Sequence, residues 1–346
     1  MLDKKTIDET LSNYQDFKIA TICSHSSLQI FKGARVEGIK TIGIVRKDKR
    51  KFYESFPLAR PDEFIEVESY EDIPDQELVE KSAIVIPHGS FVEYTGISFD
   101  TMRAPVFGNR QSVMWERSRE KMFEWMKKAG LKKPQILKPE EVDGPALVKF
   151  PGAKGGRGYL IVNSHKEFEE KVGNRPCMIQ EFIIGVRAYP HFFFSPFSDI
   201  GYGTRDGRIE LLGVDTRVES SADEIARAVS VGLKPKLAFT VVGNEPMVLR
   251  ESLLSEYMEI GRKVSEASFD LFGGIFGPFC VETIITEDLE IFVFEVSARI
   301  VAGTNVYPDG SPYSTYYYDE PMSTGRRIAR ELKLAKKLNR LQEIVH

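Results

Sequence analysis

The sequence predicts a mixed α/β and α+β architecture in two lobes, on three observations. The chain opens as β-α-β: FKIATIC (Phe17 to Cys23) reads as a buried strand, Ser26 to Val36 as an amphipathic helix, and Lys40 to Val45 as a second strand after the break at Gly38. Between 146 and 214, strand-like runs follow one another with short turns, which implies antiparallel pairing. The first two of those runs flank a glycine-rich loop, PGAKGGRGY, Pro151 to Tyr159.

The remaining elements follow in order. AIVIP (Ala83 to Pro87) reads as an apolar strand running into His88-Gly89-Ser90, and PVFG (Pro105 to Gly108) as another short strand. Loops leaving the carboxyl ends of strands line the ligand crevice of an open parallel sheet, so His25 and Ser90 are both candidate contacts. Met114 to Ala129 has helical spacing and stops at Gly130 with Pro134 beyond. The antiparallel series is Ala146 to Phe150, Tyr159 to Asn163, Met178 to Ile183, Ala188 to Phe194 and Ile209 to Val214. Gly277 to Thr286 and Glu290 to Ser297 form a hairpin turning at Glu287 and Asp288, and a basic helix from Thr324 closes the chain.

With 346 residues the chain suits two or three packed lobes rather than one simple core. A net charge of −4 gives no general attraction for nucleic acid or anionic membranes, so any phosphate site must be local. Met1 is followed by Leu2, Asp3, Lys4 and Lys5, and no run nears the roughly 18 apolar residues of a membrane span, so a cytoplasmic location is expected. Cys23, Cys177 and Cys280 are few, odd in number and far apart, which fits buried thiols rather than a disulfide framework or a zinc cluster. The cations of the closing helix, such as Arg326, Arg327 and Arg330, read as a solvated face before they read as a nucleic-acid surface.

Two features carry chemistry. A phosphate-binding Walker loop opens a helix, whereas β-favouring YLIV follows these glycines, so that reading fails. A glycine loop between antiparallel strands can instead fold its amide N–H groups over a polyphosphate, with Lys154 and Arg157 supplying charge; a flexible hairpin turn is the plain alternative. Glu282 in FCVETII and Glu295 in VFEVSAR interrupt strongly apolar arms of the final hairpin. Unpaired buried carboxylates are too costly to keep, so a divalent cation is expected between them, with Arg299 placed to bind a carboxylate and then an acyl phosphate. A structural Arg–Glu network is the alternative.

Glu295-Val296-Ser297-Ala298-Arg299 resembles the Glu-x-Asn-x-Arg motif of the ATP-grasp superfamily, with serine where many members have asparagine. Together with PGAKGGRGY, GPFCVE (277–282), SARIVAGTN (297–305) and STGRRIARE (323–331), the chain resembles the archaeal formate-dependent 5-formaminoimidazole-4-carboxamide ribonucleotide (FAICAR) synthetases from about Ile19 to Leu332. The resemblance implies an ATP-grasp fold with an N-terminal Rossmann-like domain. Its expected boundaries are 1–112 and 113–346, with a lid subdomain at about 145–215 and a catalytic subdomain at about 216–346. It implies that ATP, formate and the aminoimidazole carboxamide ribonucleotide AICAR give ADP, phosphate and FAICAR in purine biosynthesis. His25, Ser90 and Asn244 would touch AICAR. Lys149, Lys154, Gly155, Gly156 and Gly158 would hold the ATP phosphates, Gln180, Glu181, Phe182 and Ile183 the adenine, and Glu219 the ribose. Glu282 and Glu295 would bind Mg²⁺ or Mn²⁺, Arg299 and Lys149 would be catalytic, and the partners are small molecules within a homo-oligomer, a trimer or hexamer. The rival readings are an ATP-grasp ligase with another carboxylate or amine, and a paralogue that binds AICAR without turning it over.

Overall fold

In this computed structural model the described residues are 4–150, 159–219, 222–234 and 240–346. The first lobe is built on a parallel sheet. Lys18–Ile22 (β1), Thr41–Arg46 (β2), Glu63–Val67 (β3) and Ala83–Val85 (β4) lie in the order β3-β2-β1-β4. β1 and β2 are almost wholly buried, as expected of central strands covered on both faces. β3 escaped the sequence reading because EFIEV is an edge strand with acidic positions, too polar to register as a buried run. Residues 105–108 make isolated bridges to Val85 and Val345 rather than the short strand expected.

The link to the second lobe corrects one element. The helical stretch expected at 114–129 is two helices, Arg110–Arg117 and Arg119–Lys128, because Ser118 takes an extended backbone and its side chain accepts from Lys121 N to cap the second. The break lets the first of these helices aim Glu116 toward the site described below.

Two antiparallel sheets follow. Ile136–Leu137 (β5), Ala146–Lys149 (β6), Tyr159–Val162 (β7) and Met178–Glu181 (β8) form a small sheet in the order β5-β8-β6-β7. The larger sheet contains Val186–Ser195 (β9), Tyr202–Gly203 (β10), Arg208–Glu219 (β11), Val241–Pro246 (β12), Gly277–Ile285 (β13) and Ile291–Ser297 (β14), ordered β10-β11-β9-β13-β14 with β12 paired to β11. Residues 186–215, expected in the lid, therefore hydrogen-bond into the sheet of the final hairpin. β12 went unread because VVGNEP carries glycine and proline, both poor strand formers.

The helix Glu251–Phe272 covers one face of the large sheet. Phe192 and Phe279 stack at 5.2 Å beneath it, and Tyr257 meets Thr283 Oγ1 at 2.8 Å. The lobes are fastened where helix Ser27–Val36 crosses helix Thr324–Lys337. A Cβ on Gly33 would lie 2.2 Å from Arg326 N, and one on Gly325 2.3 Å from Gln29 O, so only glycine permits this backbone approach. The closing helix is consequently no solvated face. Arg326, Arg330 and Lys333 converge on Glu37, and Arg327 is buried between Glu210 and Glu331. Cys23 and Cys280 are buried as expected, while Cys177 is only half-buried.

Candidate active site

Strand register gathers the site on the open face of the large sheet. Residues directly opposed across strands share a face, as do residues two apart along one strand. Asn244 opposes Arg217, Asp215 opposes Tyr189, His191 opposes Cys280, and Glu282 opposes Glu295. Because Asp215 and Arg217, Tyr189 and His191, and Cys280 and Glu282 are each two apart, one face carries all eight. The expected convergence of the two carboxylates is thus a direct cross-strand pairing.

This face floors a cavity of about 420 Å³, within the range of small-molecule sites. Glu282, Glu295, Arg217 and Arg299 line it from the large sheet, Lys149 and Gln180 from the small one, and Gly89 from the first lobe. Arg217 Nη2 donates to Glu282 Oε1 at 2.7 Å, with its guanidinium 3.9 Å from the centre of the Tyr189 ring. Burial opposes the charge of Arg217, but Glu282 outweighs it and holds the guanidinium pKa above its ordinary value. Burial and then the like charge of Glu282 push the Glu295 carboxyl well above the usual carboxylate range. Ser297 Oγ approaches Glu282 Oε1 at 3.5 Å. Burial lowers the pKa of Lys149, with Glu295 the leading opposing charge.

Arg299 is held rather than free. Glu116 accepts from Arg299 Nη2 at 2.7 Å and from Ala298 N at 2.8 Å, while Arg299 Nε is buried without a hydrogen-bond partner among the described residues. Burial raises the pKa of Glu116, and Arg299 is the first charge to oppose that. The arrangement locks the guanidinium and leaves donor capacity for an anion in the cavity.

On the first lobe, His25 adopts a positive φ of 51°, an uncommon conformation for a non-glycine residue. Asn305 Nδ2 holds its carbonyl at 3.1 Å, and its ring lies parallel to His88 at 5.3 Å. A Cβ on Gly89 would sit 2.5 Å from His25 Nε2, so the imidazole rests against the glycine that lines the cavity. Burial, then His88, Arg299 and Arg217, hold its pKa well below the ordinary histidine value. Ser90 N donates to His88 Nδ1, and Ser90 Oγ to Ser24 Oγ at 2.9 Å.

The expected residues thus fall into groups. Lys149, Gln180, Glu282, Glu295 and Arg299 line one cavity, with His25 and Ser90 beside its Gly89 edge. Asn244 stands one strand beyond Arg217 on the same face. Phe182 and Ile183 lie past the end of β8, which stops at Glu181, so that segment is not wholly strand as expected; Glu181 Oε2 accepts from Gln135 N. Glu219 ends β11 and accepts from Arg187 Nη1 at 3.1 Å. Lys154, Gly155, Gly156 and Gly158, with Arg157, lie outside the described residues. Sequence reading passed over Arg217, whose alternation with Asp215 and Glu219 on one strand was the available signal, and Glu116, which no local pattern marks.

A cavity between a small antiparallel sheet and a larger one, with paired acids on its floor, is the arrangement that the resemblance to ATP-grasp ligases implies. The N5-carboxyaminoimidazole synthetase of Staphylococcus aureus, solved with ADP, shares the fold at a TM-score of 0.59, with 15% identity over 89% of this chain and 75% of that one. Two family models match, one described as a domain of unknown function, DUF1297, over residues 166–346, the other as a protein of unknown function, DUF1246, over 19–137. The curated 5-formaminoimidazole-4-carboxamide-1-(β)-D-ribofuranosyl 5′-monophosphate synthetase of Methanococcoides burtonii is 52% identical over 100% of both chains. The crystal structure of an IMP biosynthesis protein PurP from Thermococcus kodakaraensis matches at a TM-score of 0.76, with 35% identity over 95% of this chain and 100% of that one. The chain belongs to the 5-formaminoimidazole-4-carboxamide ribonucleotide synthetase family.

Proposed function

We infer that the protein formylates AICAR to FAICAR with ATP and formate, releasing ADP and phosphate. The observation that carries this reading is the direct pairing of Glu282 with Glu295 opposite Lys149 and Arg299 in one cavity, within a chain whose full-length relatives carry that synthetase name. Glu282 and Glu295 fit Mg²⁺ or Mn²⁺, since two acids face each other and a cation would offset both the burial and the like charge of Glu282 that raise the pKa of Glu295. No group of three or more His, Cys, Asp or Glu able to hold a metal is found among the described residues. When bound, the ion would neutralise charge on the ATP phosphates.

Formate attacks the γ-phosphorus in line, and the ADP oxygen leaves with the bond electrons to give formyl phosphate. Arg299, braced by Glu116, receives the carboxylate and retains the acyl phosphate, while Lys149 holds the polyphosphate. The AICAR amine then attacks the formyl carbon, phosphate departs, and the amine proton passes to it. His25, neutral at physiological pH, and Ser90 hold the nucleotide from the first lobe, with Asn244 reaching it from the sheet. Lys154, Gly155, Gly156 and Gly158 belong to the proposed lid over the phosphates, with Gln180 to Ile183 at the adenine and Glu219 at the ribose. The proposed domain division falls at 112/113, with the small sheet as the lid. Among the described residues no helix is long and apolar enough to cross a membrane. A cytoplasmic location, small-molecule partners and a homo-oligomer are part of the same proposal.

Steady-state assay of ADP release tests the reading. Release should require AICAR and formate together and yield FAICAR in equal amount. Release with another carboxylate or amine but not with this pair, or saturable AICAR binding with no formylated product, would contradict it.

A further inference from the structure

Arg217 reaches its partner across an intervening strand. In the order β11-β9-β13-β14, Arg217, Tyr189, Glu282 and Glu295 stand in a row on one face, so the guanidinium must cross two strand spacings, roughly 10 Å, to meet Glu282. It does so lying on the Tyr189 ring, with its central carbon 3.9 Å from the ring centre and Nη2 2.7 Å from Glu282 Oε1. Tyr189 is only 1% exposed, so the ring is a fixed support. The row therefore sets a guanidinium on one side of Glu282 and a second acid on the other.

This contact stands in competition with a metal. Oε1 of Glu282 is taken by Arg217, and Ser297 Oγ approaches the same oxygen at 3.5 Å. Arg217 is also the leading positive charge acting on Glu295, ahead of Lys149. It already serves both acids as counter-ion. A divalent ion seated between them would take over that role and repel the guanidinium at close range, where little water screens the two charges. Arg217 lines the cavity, and among the described residues Glu282 is its only hydrogen-bond partner, so nothing else in the row holds it once that bond is lost.

Building on the proposed metal site and phosphoryl transfer, we propose that Arg217 is a catalytic residue that changes partners: a divalent ion displaces it from Glu282, and the freed guanidinium turns to the γ-phosphoryl group passing from ATP to formate. In that step a formate oxygen bonds to phosphorus, the bond to the ADP oxygen breaks, and its electrons leave on ADP. The guanidinium neutralises charge on the equatorial oxygens of the group in transit. Arrival of the metal and completion of the anion site thus become one event.

The experiment measures Mn²⁺ binding without nucleotide, by electron paramagnetic resonance of the free ion, and steady-state ADP release, in wild type, Arg217→Met and Glu282→Gln. Removing the competing cation should tighten Mn²⁺ binding at least about tenfold in Arg217→Met. In the same variant kcat should fall at least about 100-fold while the KM for AICAR stays within about twofold. Damage to the fold would weaken metal binding and turnover together, so tighter metal with slower turnover separates the exchange from a structural role. Arg217→Gln should give the same pair of shifts, which keeps the test decisive should the methionine variant fold poorly. Mn²⁺ affinity that is unchanged, weaker or undetectable in a folded Arg217 variant overturns the exchange, as does an unchanged kcat. Mn²⁺ affinity that Glu282→Gln leaves as in wild type overturns the metal assignment, and the proposal with it.

Discussion

At the scale of single residues, the proposed chemistry centres on two acids opposed on neighbouring strands. Glu282 and Glu295 could be read from sequence because each interrupts an apolar arm, and a carboxylate in such a place needs a cation. Glu295→Gln should abolish ADP release, by three orders of magnitude or more, while AICAR binding measured by calorimetry remains close to wild type; wild-type-like turnover would contradict the metal assignment. Arg217 and Glu116 were not legible. Their roles depend on which strand lies opposite and on a helix break at Ser118, neither of which local spacing encodes.

His88 supplies a pH test at the same scale. Burial leads in lowering its pKa to about 4, against 6.5 for an ordinary histidine, and the neutral ring bridges Ile22 O and Ser90 N. The unfolded chain therefore binds the extra proton first as pH falls. Stability is complete above about pH 6.5 and is lost progressively toward pH 4, by about 3 kcal/mol for this group. Thermal unfolding of wild type and His88→Asn between pH 4 and 7 should show a shallower slope in the variant. Equal slopes would remove His88 as the cause.

At the scale of elements, long apolar runs declared themselves and edges did not. β1, β2, β13 and β14 were visible because burial on both faces or strong alternation with acids leaves a dense apolar record. β3 and β12 sit where a strand is tolerated for its neighbours' sake, so their own residues say little. The helix crossing at Gly33 and Gly325 is equally silent in sequence, since a glycine inside a helix carries no label of what presses on it. Gly325→Ala should destabilise the fold by about 2 kcal/mol, measured by denaturant unfolding, because its new methyl group must displace the backbone of Gln29. Glu37, which burial pushes up and three cations hold down to about 2, fastens the same two helices; Glu37→Gln should cost about 2 kcal/mol as well. Unchanged midpoints in both variants would show that the lobes are fastened elsewhere.

At the scale of the whole molecule, the site exists because two sheets and the first lobe meet around one cavity. Gly89 opens the helix Gly89–Glu93 that follows β4, Lys149 and Gln180 come from the small sheet, and the acids with Arg217 from the large one. The reaction is legible in the motifs because the glycine loop and the final hairpin are each contiguous in sequence. Sheet order is not, because non-local pairing is decided by packing of the whole chain.

The central claim is that formate is activated as an acyl phosphate in this cavity and passed to AICAR. Formate labelled with ¹⁸O at both oxygens, incubated with enzyme, ATP, Mg²⁺ and AICAR, tests it directly by mass spectrometry of the products. One labelled oxygen should appear in inorganic phosphate and the other in the formyl group of FAICAR. Phosphate free of label, alongside formation of FAICAR, would contradict the acyl-phosphate route.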